Sequence, residues 1–395
     1  MLPNEWQRVP VGKVCNSIVP GRNKPKYFDG DIPWVTTPEI SGRYVPSALQ
    51  KNYVSETVLK ECGGKIVPKG AVVMAAVGEL GLVALAAEKV VLNQQLHAFV
   101  CSNSVHNEYL AYALKAQKYY MESVASKTTI PYMNKTNCES IPVPLPPLPE
   151  QKKIAQILSA WDQAITATKR LLENSQQRKK GLMQQLLTGK KRLPGFEGEW
   201  EVVKLASVAH MSSGGTPKSS VTSYYGGEIP WVSIADMTSQ GKWINNTEKN
   251  LSKLGIENSS ARIYPANTIL YAMYASIGEC SIARVPVSSS QAILGIQPSS
   301  DLHFEFLYFY LSSLKEEIKL QGQQGTQSNL NAGMVKAFKM PLPDLSEQLR
   351  ISAVLNAADR EIDALQKSIC ALRREKKALM QQLLTGKRRV QVAAA

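Results

Sequence analysis

The sequence offers little to an enzyme. It contains no Gly-x-x-x-x-Gly-Lys-Ser/Thr phosphate loop, no Gly-x-Gly-x-x-Gly, no His-Glu-x-x-His and no Gly-x-Ser-x-Gly. No Asn or Asp is followed by proline, so the Pro-Pro-aromatic signature of an amino-methyltransferase is missing too. A nuclease-like reading of Asp344 with Glu375, Lys376 and Lys377 fails on distance, because about 30 helical residues span ~45 Å, too far to share a metal. Catalysis is therefore not expected in this chain. Its six cysteines (Cys15, Cys62, Cys101, Cys138, Cys280, Cys370) form no CxxC pair and do not approach the four histidines at ligand-like spacing, so reduced thiols and no metal are expected. No apolar run nears the ~18 residues of a membrane helix. The start, Met1-Leu2-Pro3-Asn4-Glu5-Trp6, carries no charged-then-apolar leader, and a cytoplasmic protein with no membrane partner is the expectation.

What is present is charge of one sign, unevenly placed. The net charge is +14 over 395 residues, which suits a nucleic-acid partner. Residues 148–192 carry +7 and residues 345–395 carry +5, whereas 1–147 carry +4 and 193–344 carry −2. The basic excess lies mainly in two short segments.

The sequence is also written twice. Leu182-Met183-Gln184-Gln185-Leu186-Leu187-Thr188-Gly189-Lys190 recurs letter for letter at Leu379 to Lys387, an offset of 197. The same offset carries Gly30, Ile32, Pro33, Trp34 and Val35 onto Gly227, Ile229, Pro230, Trp231 and Val232, and Pro144-Leu145-Pro146 onto Pro341-Leu342-Pro343. The register breaks near the start, where Trp6 matches Trp200 at an offset of 194. Two copies of this size exclude a solenoid and make a pseudo-dimer in one chain. Apolar runs such as Ala71-Val72-Val73-Met74 and Thr268-Ile269-Leu270-Tyr271 read as strands, while 107–124 and 301–320 read as helices, giving an α+β class. His106 and His303 stand at helix entries and read as scaffold.

Two long proline-free stretches, 150–188 and 347–385, each end in Thr-Gly-Lys, with Gly189 and Gly386 placed for a left-handed C-cap. Each predicts a helix of ~39 residues, or ~58 Å. In the second, Ile351, Leu355, Ala358, Ile362, Leu365, Ile369, Leu372, Lys376, Leu379 and Leu383 alternate spacings of four and three, a coiled-coil seam. The first keeps the spacing but puts Thr168, Ser175 and Lys179 on the seam. Connectivity favours an antiparallel pair with one globular domain at each end of a rod. The expected boundaries are globular domains at 1–147 and 193–344, coiled-coil helices at 148–192 and 345–389, and a tail at 390–395.

Pro-Leu-Pro-Pro-Leu-Pro-Glu-Gln at 144–151, Pro-Leu-Pro-Asp-Leu-Ser-Glu-Gln at 341–348, the Gly-x-Ile-Pro-Trp-Val elements and the Leu-Leu-Thr-Gly-Lys helix ends together resemble the specificity subunit of type I restriction-modification systems. The similarity runs along essentially the whole chain, with Ser346 replacing Pro149 as the visible departure. The resemblance implies that each globular domain is a target-recognition domain reading one half of a bipartite sequence in double-stranded DNA. It implies that the helices set the spacer and dock two modification subunits, which methylate adenine with S-adenosylmethionine, and that restriction subunits join the complex. No cofactor would sit in this chain.

Base readers are expected where the copies diverge. One such pair of loops is Gly21 to Lys26 against Gly214 to Ser219, and the other is Lys127 to Tyr132 against Gln324 to Asn329. The candidate DNA contacts are Arg22, Lys24, Lys26, Lys127, Thr128, Thr129 and Tyr132 in the first copy, and Thr216, Lys218, Ser219, Thr326, Gln327, Ser328 and Asn329 in the second. These side chains supply donors and acceptors without bulk, as groove contact requires, though they equally suit surface turns. The competing readings are a stand-alone DNA-binding scaffold and a self-contained enzyme.

Overall fold

The computed structural model describes residues 2–21, 23–126, 129–318 and 330–392. The chain divides into two compact units, Met1–Lys169 with Lys367–Ala395, and Arg170–Gln366. Each unit therefore contains one globular domain, the first half of the long helix that follows it, and the second half of the other long helix.

In the first unit a five-stranded sheet runs in the order Cys15–Ile18, Leu96–Cys101, Val72–Ala75, Val83–Ala86, Tyr44–Val45. Beside it lies a four-stranded sheet, Tyr53–Val54, Ile32–Val35, Val90–Leu92, Ile66–Val67. The central strands are buried on both faces, which is why they read as continuous apolar runs rather than alternating ones. The second unit repeats the five-stranded order with Ala209–Ser213, Ile293–Pro298, Ile269–Ala272, Cys280–Ala283 and Trp243–Ile244. Its smaller sheet has three strands: Lys249–Leu251, Tyr225–Val232 and Ser288–Ser289.

Two expected helices differ in extent. The stretch 107–124 is two helices, Asn107–Lys115 and Lys118–Val124, because the chain turns at Ala116 and Gln117 and so returns Met121 to the same core. The stretch predicted as one helix over 301–320 starts at Phe304, with His303 as N-cap, and ends at Ser313; the chain turns at Leu314 before helical residues 315–318, the last described there. Leu307 and Leu311 are fully buried, and Phe304, Leu314 and Ile318 pack against the same core.

The long helices are Leu148–Leu186 and Leu345–Leu383, each 39 residues and each two residues earlier than expected. The early start is possible because a first-turn N–H has no intrahelical partner to lose, so Pro149 is tolerated there. In the other copy Asp344 accepts from the Glu347 N–H at 2.9 Å and from the Ser346 hydroxyl at 2.6 Å. Those bonds hold its carboxyl below the usual carboxylate range and make Asp344 the capping residue, with Ser346 steadying it. Gly189 and Gly386 have φ of +70° and +73°, the left-handed conformation their positions demand. No helix among the described residues is long and apolar enough to cross a membrane.

Within each unit the two helical segments run antiparallel. In the first, Arg389 meets Glu150 and Lys376 meets Asp162; in the second, Arg192 meets Glu347 and Lys179 meets Asp359. Numbers that fall along one segment as they rise along the other define that orientation.

Each long helix is sewn to its domain by the Glu-Gln dipeptide at its start. Gln151, 1% exposed, accepts from the His106 N–H at 2.8 Å and donates to the Ser104 and Pro146 carbonyls at 3.0 and 2.8 Å. Gln348 makes the same three bonds, to His303 N and to the Asp301 and Pro343 carbonyls, at 2.7, 2.8 and 2.8 Å. Only an amide can accept one bond and donate two here. Gln151→Ala leaves three buried backbone groups unpaired and is expected to cost about 2–4 kcal/mol. Chemical denaturation measures this, and Gln151→Glu, which cannot donate twice, is expected to recover little of the loss.

Candidate nucleic-acid interface

The proposed reader loops are framed by glycines for which the backbone leaves no alternative. A Cβ on Gly21 would lie 2.6 Å from the Gly63 carbonyl oxygen, and one on Gly215 would lie 2.3 Å from Ser260. At the other end of the loop, a Cβ on Gly30 would lie 1.9 Å from the Val54 backbone, and one on Gly227 would lie 2.5 Å from the Leu251 carbonyl oxygen. These contacts make Gly215 the counterpart of Gly21, correcting by one residue the sequence alignment that set Gly21 against Gly214. Between the clamps lie 8 residues (22–29) in the first domain and 11 (216–226) in the second. The register break seen in the sequence is thus a three-residue difference inside this loop.

In the first domain Lys24 and Lys26 are exposed. Sequence reasoning missed their neighbours Tyr27 and Phe28, which are 62% and 37% exposed, although both were legible as aromatics inside a basic loop. Lys24 Nζ stands 6.0 Å from the Phe28 ring centre, and Phe28 tilts against Trp34 at 6.3 Å. A loop presenting cations and aromatic faces together suits phosphates and bases. Thr129 and Tyr132 are exposed on a different element, where Tyr132 bridges Val77 beside the five-stranded sheet. Arg22, Lys127, Thr128, Thr326, Gln327, Ser328 and Asn329 lie outside the described residues.

In the second domain Thr216 and Ser219 line one cleft of about 500 Å³ with Tyr225, Trp231, Lys249 and Asn250, while Lys218 is exposed. The loop is held from beneath: Trp231 Nε1 donates to the Gly215 carbonyl at 3.0 Å and the Tyr225 hydroxyl donates to the Pro217 carbonyl at 2.7 Å. The two rings meet edge-on at 6.4 Å. The loop backbone is thereby set before any ligand arrives.

Each domain also carries a cation between the helix Asn107–Lys115 or Phe304–Ser313 and the long helix. Arg43 pairs with Glu108 at 2.7 Å and donates to Ser159. Lys242 pairs with Glu305 at 3.0 Å and donates to Asn356. Burial lowers the Lys242 pKa, an effect its bond to Glu305 opposes. Among the described residues no group of three or more His, Cys, Asp or Glu could hold a metal.

The sequence pattern described as "Type I restriction modification DNA specificity domain" matches residues 3–174 and 197–373. The chain belongs to this family. It is a specificity subunit of a type I restriction-modification system, with two recognition domains, and such subunits are the non-catalytic part of the complex. Among its relatives are two from Methanocaldococcus jannaschii. The MjaIX specificity subunit is 22% identical over 99% of this chain and 95% of its own length. The MjaVIII specificity subunit is 27% identical over 98% and 94%. The S subunit of M. genitalium matches in fold with a TM-score of 0.61 at 16% identity, covering 97% of this chain and 98% of that one. The subunit from Thermoanaerobacter tengcongensis matches with a TM-score of 0.53 at 20% identity, covering 98% of both chains.

The anchoring of this specificity subunit's second loop gives a direct test. Trp231→Phe keeps an aromatic ring but removes the donor to Gly215, and is expected to cost about 1 kcal/mol. Hydrogen exchange of residues 214–219 should quicken more than that of the five-stranded sheet. Unchanged exchange in the loop would show that Trp231 does not hold it.

Proposed function

We propose that each globular domain of this specificity subunit reads one half of a bipartite DNA target through its glycine-clamped loop. The long helices set the distance between half-sites and dock two adenine-methylating modification subunits, through which restriction subunits join. S-adenosylmethionine belongs to those partners, and the chain works inside the cell's cytoplasm. The observation that carries the reading is the pairing of equivalence with difference. Both domains clamp the loop base with glycines at equivalent places, yet the loop between them changes in length and chemistry. Phosphate contacts position a reader and base-edge contacts give it sequence. Lys24 and Lys26 are suited to the first task, as are Arg22, Lys127 and Lys218. Thr128, Thr129, Tyr132, Thr216, Ser219, Thr326, Gln327, Ser328 and Asn329 are suited to the second.

The test is made on the assembled modification complex by mapping methylated adenines in genomic DNA. Exchanging residues 193–344 for the equivalent domain of a relative is expected to change one half-site and leave the other; a change in both halves would overturn the separate-reader assignment. Inserting four residues into one long helix lengthens it by ~6 Å, and at ~3.4 Å per base pair the spacer should widen by one or two pairs. An unchanged spacer would remove the ruler role.

A further inference from the structure

The first recognition domain holds two cysteines that its counterpart lacks. Cys15 lies on the edge strand Cys15–Ile18, and Cys101 ends the neighbouring strand Leu96–Cys101, directly opposite in antiparallel register. The Ser102 N–H donates to the Val14 carbonyl at 3.2 Å, one residue beyond the pair. In an antiparallel ladder that bond makes Cys15 and Cys101 a non-hydrogen-bonded pair, the kind whose Cα atoms stand ~4.5 Å apart with side chains on one face. A disulfide spans Cα separations of ~4.4–6.8 Å, so the strands need not move to accept one. The second domain has Ala209 opposite Pro298 at the same register, so the fold does not require thiols at these places.

We propose that Cys15 and Cys101 are a reversible dithiol site, closed to a cross-strand disulfide by exchange with a low-molecular-weight disulfide such as oxidised glutathione. The two residues have different access. Cys15 is 6% exposed in the core, whereas Cys101 lines an open cleft of about 380 Å³ together with Lys69 and Lys152. Those cations suit the carboxylates of a glutathione-like molecule. The thiols also share a hydrogen bond, which lowers the Cys15 pKa and raises that of Cys101. The shared bond thus favours ionisation at Cys15, which can in turn take the proton of Cys101.

Exchange proceeds in two steps. A Cys101 thiolate, its proton passed to solvent or to Cys15, attacks one sulfur of the oxidant, forms a mixed disulfide and expels one glutathione thiolate. The Cys15 thiolate then attacks the Cys101 sulfur and expels the second glutathione. One oxidised glutathione becomes two reduced ones while the protein loses two thiol hydrogens. The bridge ties down the edge strand that leads into the 22–29 loop.

The experiment uses the full chain with Cys370→Ser, which removes the exposed thiol on the second long helix. The protein is incubated with oxidised glutathione, acid-quenched, alkylated under denaturing conditions and weighed before and after reductant. The expected product is two hydrogens lighter, has a peptide linkage between Cys15 and Cys101, unfolds several degrees higher and reverts on reduction. Cys15→Ala, which installs the residue that the second domain carries as Ala209, is expected to fold and to trap a stable glutathione adduct on Cys101. Alkylation of both cysteines after oxidant treatment would overturn the proposal, as would a glutathione adduct on Cys101 that persists while Cys15 is present. Because the linkage is read in the chain with both cysteines intact, the outcome does not depend on the variant folding.

Discussion

One buried dipeptide per domain ties each recognition domain to both long-helix segments of its unit. Glu150-Gln151 and Glu347-Gln348 are at most 2% exposed, and their side chains face different obligations. The glutamine satisfies backbone groups of its own domain. The glutamate is a charge taken out of water, tolerable only with partners in good geometry. Trp6 Nε1 donates to Glu150 at 3.1 Å, and Arg389 grips both of its oxygens at 3.1 and 2.9 Å. Trp200 and Arg192 do the same for Glu347, at 2.9 Å and at 2.7 and 2.7 Å. In each unit the arginine follows the long helix that did not grow out of that domain. The carboxylate therefore joins the domain, its own helix and the end of the other helix at one point. For the first domain that third element comes from 239 residues downstream, so its anchoring needs nearly the whole chain.

The polar residues on the helix seams have a similar logic. Ser175 is 7% exposed and donates to Glu361 at 2.8 Å, Arg178 pairs with the same carboxylate, and Lys179 pairs with Asp359. In the first unit Lys376 reaches Asp162 at 2.6 Å, and the Tyr112 hydroxyl donates to the other oxygen of that carboxylate at 2.6 Å. A leucine at these places would bury more apolar surface but would accept a slide by one heptad. A paired charge does not, because the slip strands it without a partner. The helices thus give up some stability for a defined register.

Much of this was legible in the sequence, and the reasons are specific. The repeat was visible because identical scaffold contacts demand identical residues, as with the Glu-Gln pairs and the Leu-Leu-Thr-Gly-Lys ends. The long helices were visible through a period that only a buried stripe produces. Less legible was the break at Ala116 and Gln117, since neither residue is a helix breaker and the turn is imposed by Met121 returning to the core. The one-residue alignment error at Gly21 arose because Gly214 and Gly215 are adjacent, and only the approach of Gly63 and Ser260 tells which is equivalent. Tyr27 and Phe28 were passed over because an aromatic in a sequence reads first as core, and their exposure is a tertiary fact.

The difference in loop length shows why a symmetric frame can carry unequal readers. Closure entropy grows only with the logarithm of loop length, so going from 8 to 11 residues costs about 0.3 kcal/mol. That small figure applies only if the loop ends stay fixed when its length changes. The glycine clamps supply that condition, since each lets the chain press against a neighbouring backbone and leaves the insertion nowhere to propagate. A side chain at Gly21, Gly30, Gly215 or Gly227 would push the loop base off its support and pass the disturbance into the sheet. The clamps therefore separate two requirements that otherwise conflict: a scaffold that repeats closely enough to present both domains alike, and a surface free to vary in each.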